Sequence, residues 1–173
     1  MKINPTPNPA IILSRPIATS GLYAKVWNVS PVIVQAVNSM VYVQLGTSVC
    51  LSISTKGTLW TALTSWLSST CPNLTSLDLS AIDSAVLARF QAATCPLLSS
   101  VVLPSGTPPY TSIDLSACAL PSAVVNALLA AAVAGAAGSG AFDTSGGTNE
   151  GPSGQGITDV GVLEGRSWTV SVN

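Results

Sequence analysis

"TCPNLTSLDLSAIDSAVLARFQAATCPLLSSVVL", residues 70–103, contains Thr-Cys-Pro twice, once at Cys71 and again at Cys95. Each copy is followed by apolar residues spaced three and then two apart. Leu74, Leu77 and Leu79 follow the first, and Leu98, Val101 and Leu103 follow the second. A third set with the same spacing, Tyr110, Ile113 and Leu115, lies in "YTSIDLSAC". A spacing of two places side chains on one face of a strand. A unit with one short strand cannot bury its apolar face alone, whereas stacked units extend a single core along an axis. The spacing therefore predicts successive parallel rungs over residues 74–115.

The segments between these rungs carry a helical period. "GTLWTALTSWLSS" (57–69) places Leu59, Leu63, Trp66 and Leu67 at helical spacing. "IDSAVLARFQAAT" (82–94) offers Asp83 or Ser84 as an N-cap and Val86, Leu87 and Phe90 as one apolar face. A third helix is expected from about Pro121, since proline suits a first helical turn. "GAFDTSGG" places Phe142 and Asp143 where Ile113 and Asp114 stand, "SGQGITDVGVLEG" reads as a last helical stretch, and "RSWTVSVN" as a closing strand. The step from Val101 to Ile113 is too short to hold a helix, and the step from Ile113 to Phe142 is longer than the cysteine repeat. The expected array is therefore irregular, with three to five turns.

With L-x-x-L-x-L in the strands and "ARFQAATCPLL" between them, the chain resembles leucine-rich repeats. "CPNLTSLDLS … AVLARFQAATCPLL" is most similar to their cysteine-containing subtype. The resemblance spans roughly residues 57–145 and implies an α/β fold, a short irregular βα solenoid. The run "DTSGGTNEGPSGQGITDVGVLEGRSWTVSVN" (143–173) is similar to the ends of phage-encoded and prophage-encoded repeat proteins, where a Gly-Gly-Thr-Asn loop leads to a helix and a final Trp-Thr-Val strand. Its last strand would cap an end that otherwise exposes apolar edges and unpaired backbone.

Upstream, "IILS", "GLYAKVWNVS", "PVIVQAV", "MVYVQL" and "VCLSIS" are short runs rich in Val, Ile and Tyr, punctuated by turn residues. They predict a small antiparallel β region, with a turn at Asn38-Ser39. Prolines at 5, 7 and 9 remove backbone donors and favour extended geometry, so the N-terminus reads as an arm without sheet partners of its own rather than as a secretory signal. The expected organisation is an arm over 1–16, a β region over 17–55, and a repeat domain with a C-terminal cap over 56–173. The arm's Ile11, Ile12 and Leu13 would be its apolar contact with a neighbouring molecule.

The 173 residues are 47% hydrophobic but 8% charged, far below the roughly 25% of ordinary soluble domains. With a formal net charge of −1, little self-repulsion opposes association, which suggests an oligomer. The six basic residues, Lys2, Arg15, Lys25, Lys56, Arg89 and Arg166, are scattered, so no stripe exists to neutralise nucleic-acid phosphates. "LPSAVVNALLAAAVAGAAG" (120–138) is nearly long enough to span a bilayer, but it is largely Ala and Gly, and a packed helix is expected instead. No membrane partner is expected.

Histidine is absent, which excludes Ser-His, Cys-His and His-metal chemistry. Cys50, Cys71, Cys95 and Cys118 are widely and almost evenly spaced, unlike the close pairs of zinc sites. As small apolar residues repeating with the strand motif, they are expected to be free thiols. The glycine-rich stretches lack a following lysine or a preceding Rossmann strand, so no phosphate loop and no cofactor are expected. Asp78, Asp114 and Asp143 recur between two core positions of the strand motif, on the exposed side, and form the candidate binding face.

These features, with the phage-like C-terminal run, suggest a non-enzymatic structural protein of a bacteriophage-like virion. It would be a capsid decoration, fibre or adaptor, made in the host cytoplasm and partnered by other virion proteins and by copies of itself. The alternative is a leucine-rich-repeat recognition module that binds a protein or glycan through the aspartate-bearing face.

Overall fold

The computed structural model describes residues 63–173, apart from 81, 83–85, 105 and 136–137, and five strands upstream of them by their backbone. In chain order the strands and helices are β1 (Ile11–Leu13), β2 (Leu22–Ala24), β3 (Val32–Gln35), β4 (Tyr42–Leu45), β5 (Ser52–Lys56), β6 (Ser65–Leu67), β7 (Ser76–Asp78), β8 (Arg89–Gln91), β9 (Ser100–Val102), β10 (Ser112–Asp114), α1 (Ser122–Ala134), β11 (Gly140–Asp143), α2 (Gln155–Gly165) and β12 (Trp168–Ser171). The fold is mixed α/β with parallel sheets. One sheet has the order β1-β3-β5-β7-β9 and the other β12-β11-β10-β8-β6-β4-β2, so up to β10 the chain alternates between them. Every pairing between described strands is parallel.

Each turn of the chain thus contributes a strand to both sheets, and this explains the irregular steps. Leu77 pairs with Val101 in the first sheet and Trp66 with Phe90 in the second. Both steps equal the one from Cys71 to Cys95. Val101 and Ile113 never share a sheet, so their closer separation is a half-turn rather than a shortened repeat. The later pairings, Ile113 with Phe142 and Phe142 with Val170, take longer steps along the chain. There α1 and α2 take the place that a first-sheet strand holds in earlier turns, and the helix accounts for the extra residues.

In the described parts of the helices expected at 57–69 and 82–94, the chain forms the strands β6 and β8 instead; residues 57–62 and 83–85 lie outside the described residues. Leu63, Trp66 and Ser68, and then Leu87, Phe90 and Ala92, are all fully buried. They repeat the same three-then-two spacing as Leu74, Leu77 and Leu79. A helix and a bend leading into a strand both bury residues i and i+3, so three-residue spacing alone does not separate them. The next buried position does, because it falls at i+5 and not at i+4 or i+7.

The upstream β region is parallel, not antiparallel. β3 and β4 flank the supposed turn at Asn38-Ser39 yet belong to different sheets. β1 pairs with β3, with Ile11, Ile12 and Leu13 opposite Val32, Ile33 and Val34, so these three residues have a sheet partner in their own chain. The rest of the proposed arm lies outside the described residues. β4 pairs with β6 and β5 with β7, so both sheets run across the boundary expected at residues 55 and 56. The separate 17–55 region and 56–173 domain are therefore continuous in both sheets.

Register places the apolar residues in columns. Ile11, Val32, Ile53, Leu77 and Val101 follow one another across the first sheet. Leu22, Val43, Trp66, Phe90, Ile113, Phe142 and Val170 follow one another across the second. Among the side chains described, Trp66, Phe90, Leu77, Ile113 and Phe142 are at most 1% exposed. Each such burial contributes about 2 kcal/mol.

After β6, β8 and β10 the backbone turns through a left-handed residue, Thr70 (φ 62°), Thr94 (φ 58°) and Ala117 (φ 54°), directly before Cys71, Cys95 and Cys118. Adopting this conformation costs a non-glycine residue about 1–2 kcal/mol. After β11 the same corner is made by Gly146 and Gly147. Glycine is required at 147, because a Cβ there would overlap the backbone of Ala117 and Cys118.

Helix α1 forms from the Ala-rich stretch and buries Val125, Leu128, Leu129 and Ala132, an i, i+3, i+4, i+7 stripe. Among the described residues no helix is long and apolar enough to cross a membrane. The first backbone N–H of α1, at Ser122, donates to Glu150 Oε2 (2.7 Å), and Arg166 Nη1 donates to Val133 O (2.6 Å) near its last turn. Both charges lie where the helix dipole favours them. Helix α2 lies against α1 so closely that a Cβ on Gly156 would overlap Asn126 Oδ1.

Candidate binding face and the buried polar ladder

The three aspartates do not form one row. Asp78 sits in the first sheet, in register with Ser54 and Val102. Asp114 and Asp143 are opposite each other in the second sheet, in a column that continues to Gln91 on one side and Ser171 on the other. The separation follows from two strands per turn: one sequence motif serves both sheets.

Each carboxylate holds the corner that follows its strand. Asp78 Oδ1 accepts from Ser80 N (2.9 Å). Asp114 Oδ1 accepts from Ser116 N (3.0 Å) and Ser116 Oγ (2.7 Å), and Asp143 Oδ1 from Ser145 N (2.8 Å) and Ser145 Oγ (2.7 Å). An aspartate that accepts from the backbone two residues on makes an Asx turn, which at Asp114 and Asp143 closes the strand before the left-handed corner. All three aspartates are half-buried. Next to the aspartate column of the second sheet runs another, Ser65, Arg89, Ser112, Ala141 and Thr169, with Arg89, Ala141 and Thr169 exposed. The outer side of this sheet is thus a polar surface of hydroxyl, amide, carboxylate and guanidinium groups, suited to hydrogen bonding.

A second polar system lies inside. Cys71, Cys95 and Cys118 are free thiols with no exposed surface. Cys95 Sγ donates to Ser68 O (3.3 Å) and Cys118 Sγ to Ala92 O (3.2 Å), in each case a carbonyl of the preceding turn. Ser68 and Ala92 occupy the same place in the strand motif, as does Leu115. The Leu115 carbonyl instead receives Asn149 Nδ2 (2.9 Å), which also donates to Thr144 O (2.8 Å), while Asn149 Oδ1 accepts from Leu120 N (2.8 Å). Thiol donors therefore satisfy this series of inward carbonyls in the middle turns, and a carboxamide takes over where the helices begin.

The thiols also act on one another. The neighbouring Cys118 side chain is the main cause that raises the Cys95 thiol to about 11, with burial adding to it. The same contact lowers the Cys118 thiol below its ordinary value. Burial raises the Tyr110 hydroxyl, which has no hydrogen-bond partner among the described residues. Among the described residues no group of three or more His, Cys, Asp and Glu side chains is arranged to hold a metal ion.

Asn149 escapes reading from the sequence. It stands in "GGTNEG", a polar loop by composition, yet it is only 5% exposed. Asn173 extends the same network, with Nδ2 donating to Asn149 O (2.7 Å) and Oδ1 accepting from Gly146 N (2.7 Å). Only the lone Asn among glycines, one position before Glu150, hinted at a specific contact. Comparison with protein-family models, curated proteins and solved structures finds no match for the chain.

Proposed function

We propose that the chain is a non-enzymatic structural protein of a bacteriophage-like particle, a leucine-rich-repeat-like solenoid that docks by its N-terminal turn and displays the remainder. The observation that carries this reading is that both sheets end, on the N-terminal side, in strands of one turn, β1 and β2. At the C-terminal end α2 and β12 complete the last turn, and the Asn173 side chain occupies backbone groups of Gly146 and Asn149. At the other end the two sheets terminate in β1 and β2, beyond which no described strand or helix lies. A terminal strand offers a row of backbone donors and acceptors to an added strand, the geometry of β-augmentation. Ile11, Ile12 and Leu13 thus act as a docking edge on the chain's own sheet rather than as a detached arm. The low charge and the phage-like C-terminal run support the same reading.

A proline in an edge strand removes one backbone donor, from the outer or the inner side according to position. Ile11→Pro and Ile12→Pro should therefore differ. One should abolish assembly or copurification with particles while circular dichroism stays unchanged. If both variants fold and assemble like the parent chain, the docking edge is wrong.

The second reading is a recognition module that binds a protein or glycan through the Asp114 and Asp143 column, favoured by the register of those two residues. Solution size separates the readings. A recognition module runs near 17.5 kDa or twice that, whereas a particle component is found in larger species.

A further inference from the structure

We propose that residues 4–10 of one copy add as a parallel strand to the open edge of β12 in a second copy, so that copies join head to tail; this rests on the reading above that the N-terminal side is the docking side. The stack follows one hydrogen-bonding rule, in which an inward residue bonds to the following turn and an outer-column residue to the preceding one. Ala92 N donates to Asp114 O (2.8 Å), Leu115 N to Asp143 O (2.8 Å) and Thr144 N to Ser171 O (2.9 Å), and in the first sheet Leu79 N donates to Val102 O (2.8 Å). β12 ends its sheet, so the rule turns its inward residues Val170 and Val172 away from β11. Both are half-buried, whereas Ile113 and Leu115, which hold the same places inside the stack, are at most 1% exposed. In the same last turn α2 leaves Ile157 63% exposed. This end of the stack therefore lacks a covering rung.

Residues 4–10, Asn-Pro-Thr-Pro-Asn-Pro-Ala, lie outside the described residues, but their sequence matches what that edge lacks. Each residue before a proline is restricted to extended backbone, so ordering the segment as a strand costs little. Polar residues alternate with prolines, which have no N–H. An inward residue inside the stack must give its N–H to the following turn, which a proline cannot do; in an end rung none is required. With the prolines inward, Pro7 stands beside Val170 and Pro9 beside Val172, while Thr6 and Asn8 extend the outer polar columns of Thr169 and Ser171. The rule then gives three bonds: Val170 N to Thr6 O, Asn8 N to Val170 O, and Val172 N to Asn8 O. None of them needs a proline donor. An antiparallel strand would set Thr6 or Asn8 directly opposite Val170 and turn the prolines outward, so the alternation selects the parallel arrangement.

The strand must come from another copy. The second sheet has seven strands and hence six spacings, about 29 Å at roughly 4.8 Å each. Ile11 is held at the opposite end of the stack by its pairing with Val32, and the chain from Ile11 back to Thr6 reaches at most about 18 Å. β9 also ends a sheet, but there α1 takes the following place. No charged residue lies between Lys2 and Arg15 or within Trp168–Val172, so the pairing buries no charge. One arm and one edge per copy make a heterologous contact, which builds rings or filaments.

Sedimentation velocity of the full-length chain over a range of concentrations tests the proposal. The parent should form species larger than two copies of 17.5 kDa. Asn8→Pro, which lacks the donor for Val170 O, should weaken association by at least about tenfold. Pro7→Ala adds a donor on the far side and should leave association nearly unchanged, and circular dichroism should be the same for all three chains. Register is read by mild oxidation of mixed variants, since parallel neighbours about 4.8 Å apart fall within the span a disulfide bridges. Asn8→Cys and Ser171→Cys should link only when mixed, and Asn8→Cys with Thr169→Cys should not link. A parent chain that stays at 17.5 kDa, an Asn8→Pro chain that assembles like the parent, a Pro7→Ala chain that dissociates, or an Asn8→Cys chain that links to its own copies would each overturn the proposal. A parent that stays single yet copurifies with particles overturns this pairing and upholds the docking reading; chains that join through Asn8 and Ser171 but fail to copurify uphold the pairing and overturn that reading.

Discussion

Replacement of Asn149 by alanine removes more from this fold than its position in a glycine-rich loop suggests. The carboxamide is 5% exposed and makes three hydrogen bonds, from Leu120 N (2.8 Å) and to Leu115 O (2.9 Å) and Thr144 O (2.8 Å). Asn149→Ala leaves one buried donor and two buried acceptors without partners. An orphaned buried group costs about 1–3 kcal/mol. Relaxation and entering water reduce the sum, so the expected loss is about 3–6 kcal/mol, against a total stability of about 5–15 kcal/mol for a domain of this kind. Asn149→Asp distinguishes hydrogen bonding from packing, because it keeps the shape and the acceptor for Leu120 N but turns a carboxylate oxygen toward two carbonyls. It should destabilise at least as much as alanine. Urea unfolding followed by circular dichroism measures both variants, and an unchanged slope shows that the same cooperative unit is unfolding. A loss below about 1 kcal/mol for Asn149→Ala would refute the idea that this side chain closes the carbonyl series.

Gly156→Ala should separate α1 from α2, since the new Cβ overlaps Asn126 Oδ1; a loss of about 1–3 kcal/mol is expected for such overpacking, with Gly161→Ala, which meets open space, as the neutral control. Stability should also fall in alkali. The Cys95 thiol is raised from 9.0 to about 11, so the folded state favours its protonated form. That contribution is complete below pH 9.0 and lost as pH rises through about 11. Cys118, shifted the other way by the same contact, offsets part of it. Unfolding midpoints between pH 8 and 11.5, compared with those of Cys95→Ala, should show a steeper decline in the parent chain, by about 1–2 kcal/mol; parallel curves would contradict it.

How far the sequence led depends on which physical signal each element used. The three-then-two spacing at Leu74, Leu77 and Leu79 and at Leu98, Val101 and Leu103 was legible, because alternation is a property of the strand itself. So were α1, whose thirteen residues carry the i, i+3, i+4, i+7 pattern, and the closing strand at Trp168–Ser171. At Leu63 and Trp66 and at Leu87 and Phe90 the same local spacing suited a helix, and the neighbouring turns overrode it by supplying strands on both sides.

The residues by themselves determined that the chain has a repeating apolar spine, which positions face it, and that histidine-dependent chemistry is excluded. Tertiary structure alone decided that one motif feeds two parallel sheets, and hence that Asp78 stands apart from Asp114 and Asp143. It also placed Ile11–Leu13 beside Val32–Val34, and put Asn149 beneath the Leu115 and Thr144 carbonyls. The division has a physical cause. Which side of a segment is apolar is settled within a few residues, whereas register and partner arise from backbone pairings between residues a full turn of the chain apart, as in Ile11 with Val32 and Ile113 with Phe142, and no local pattern encodes them.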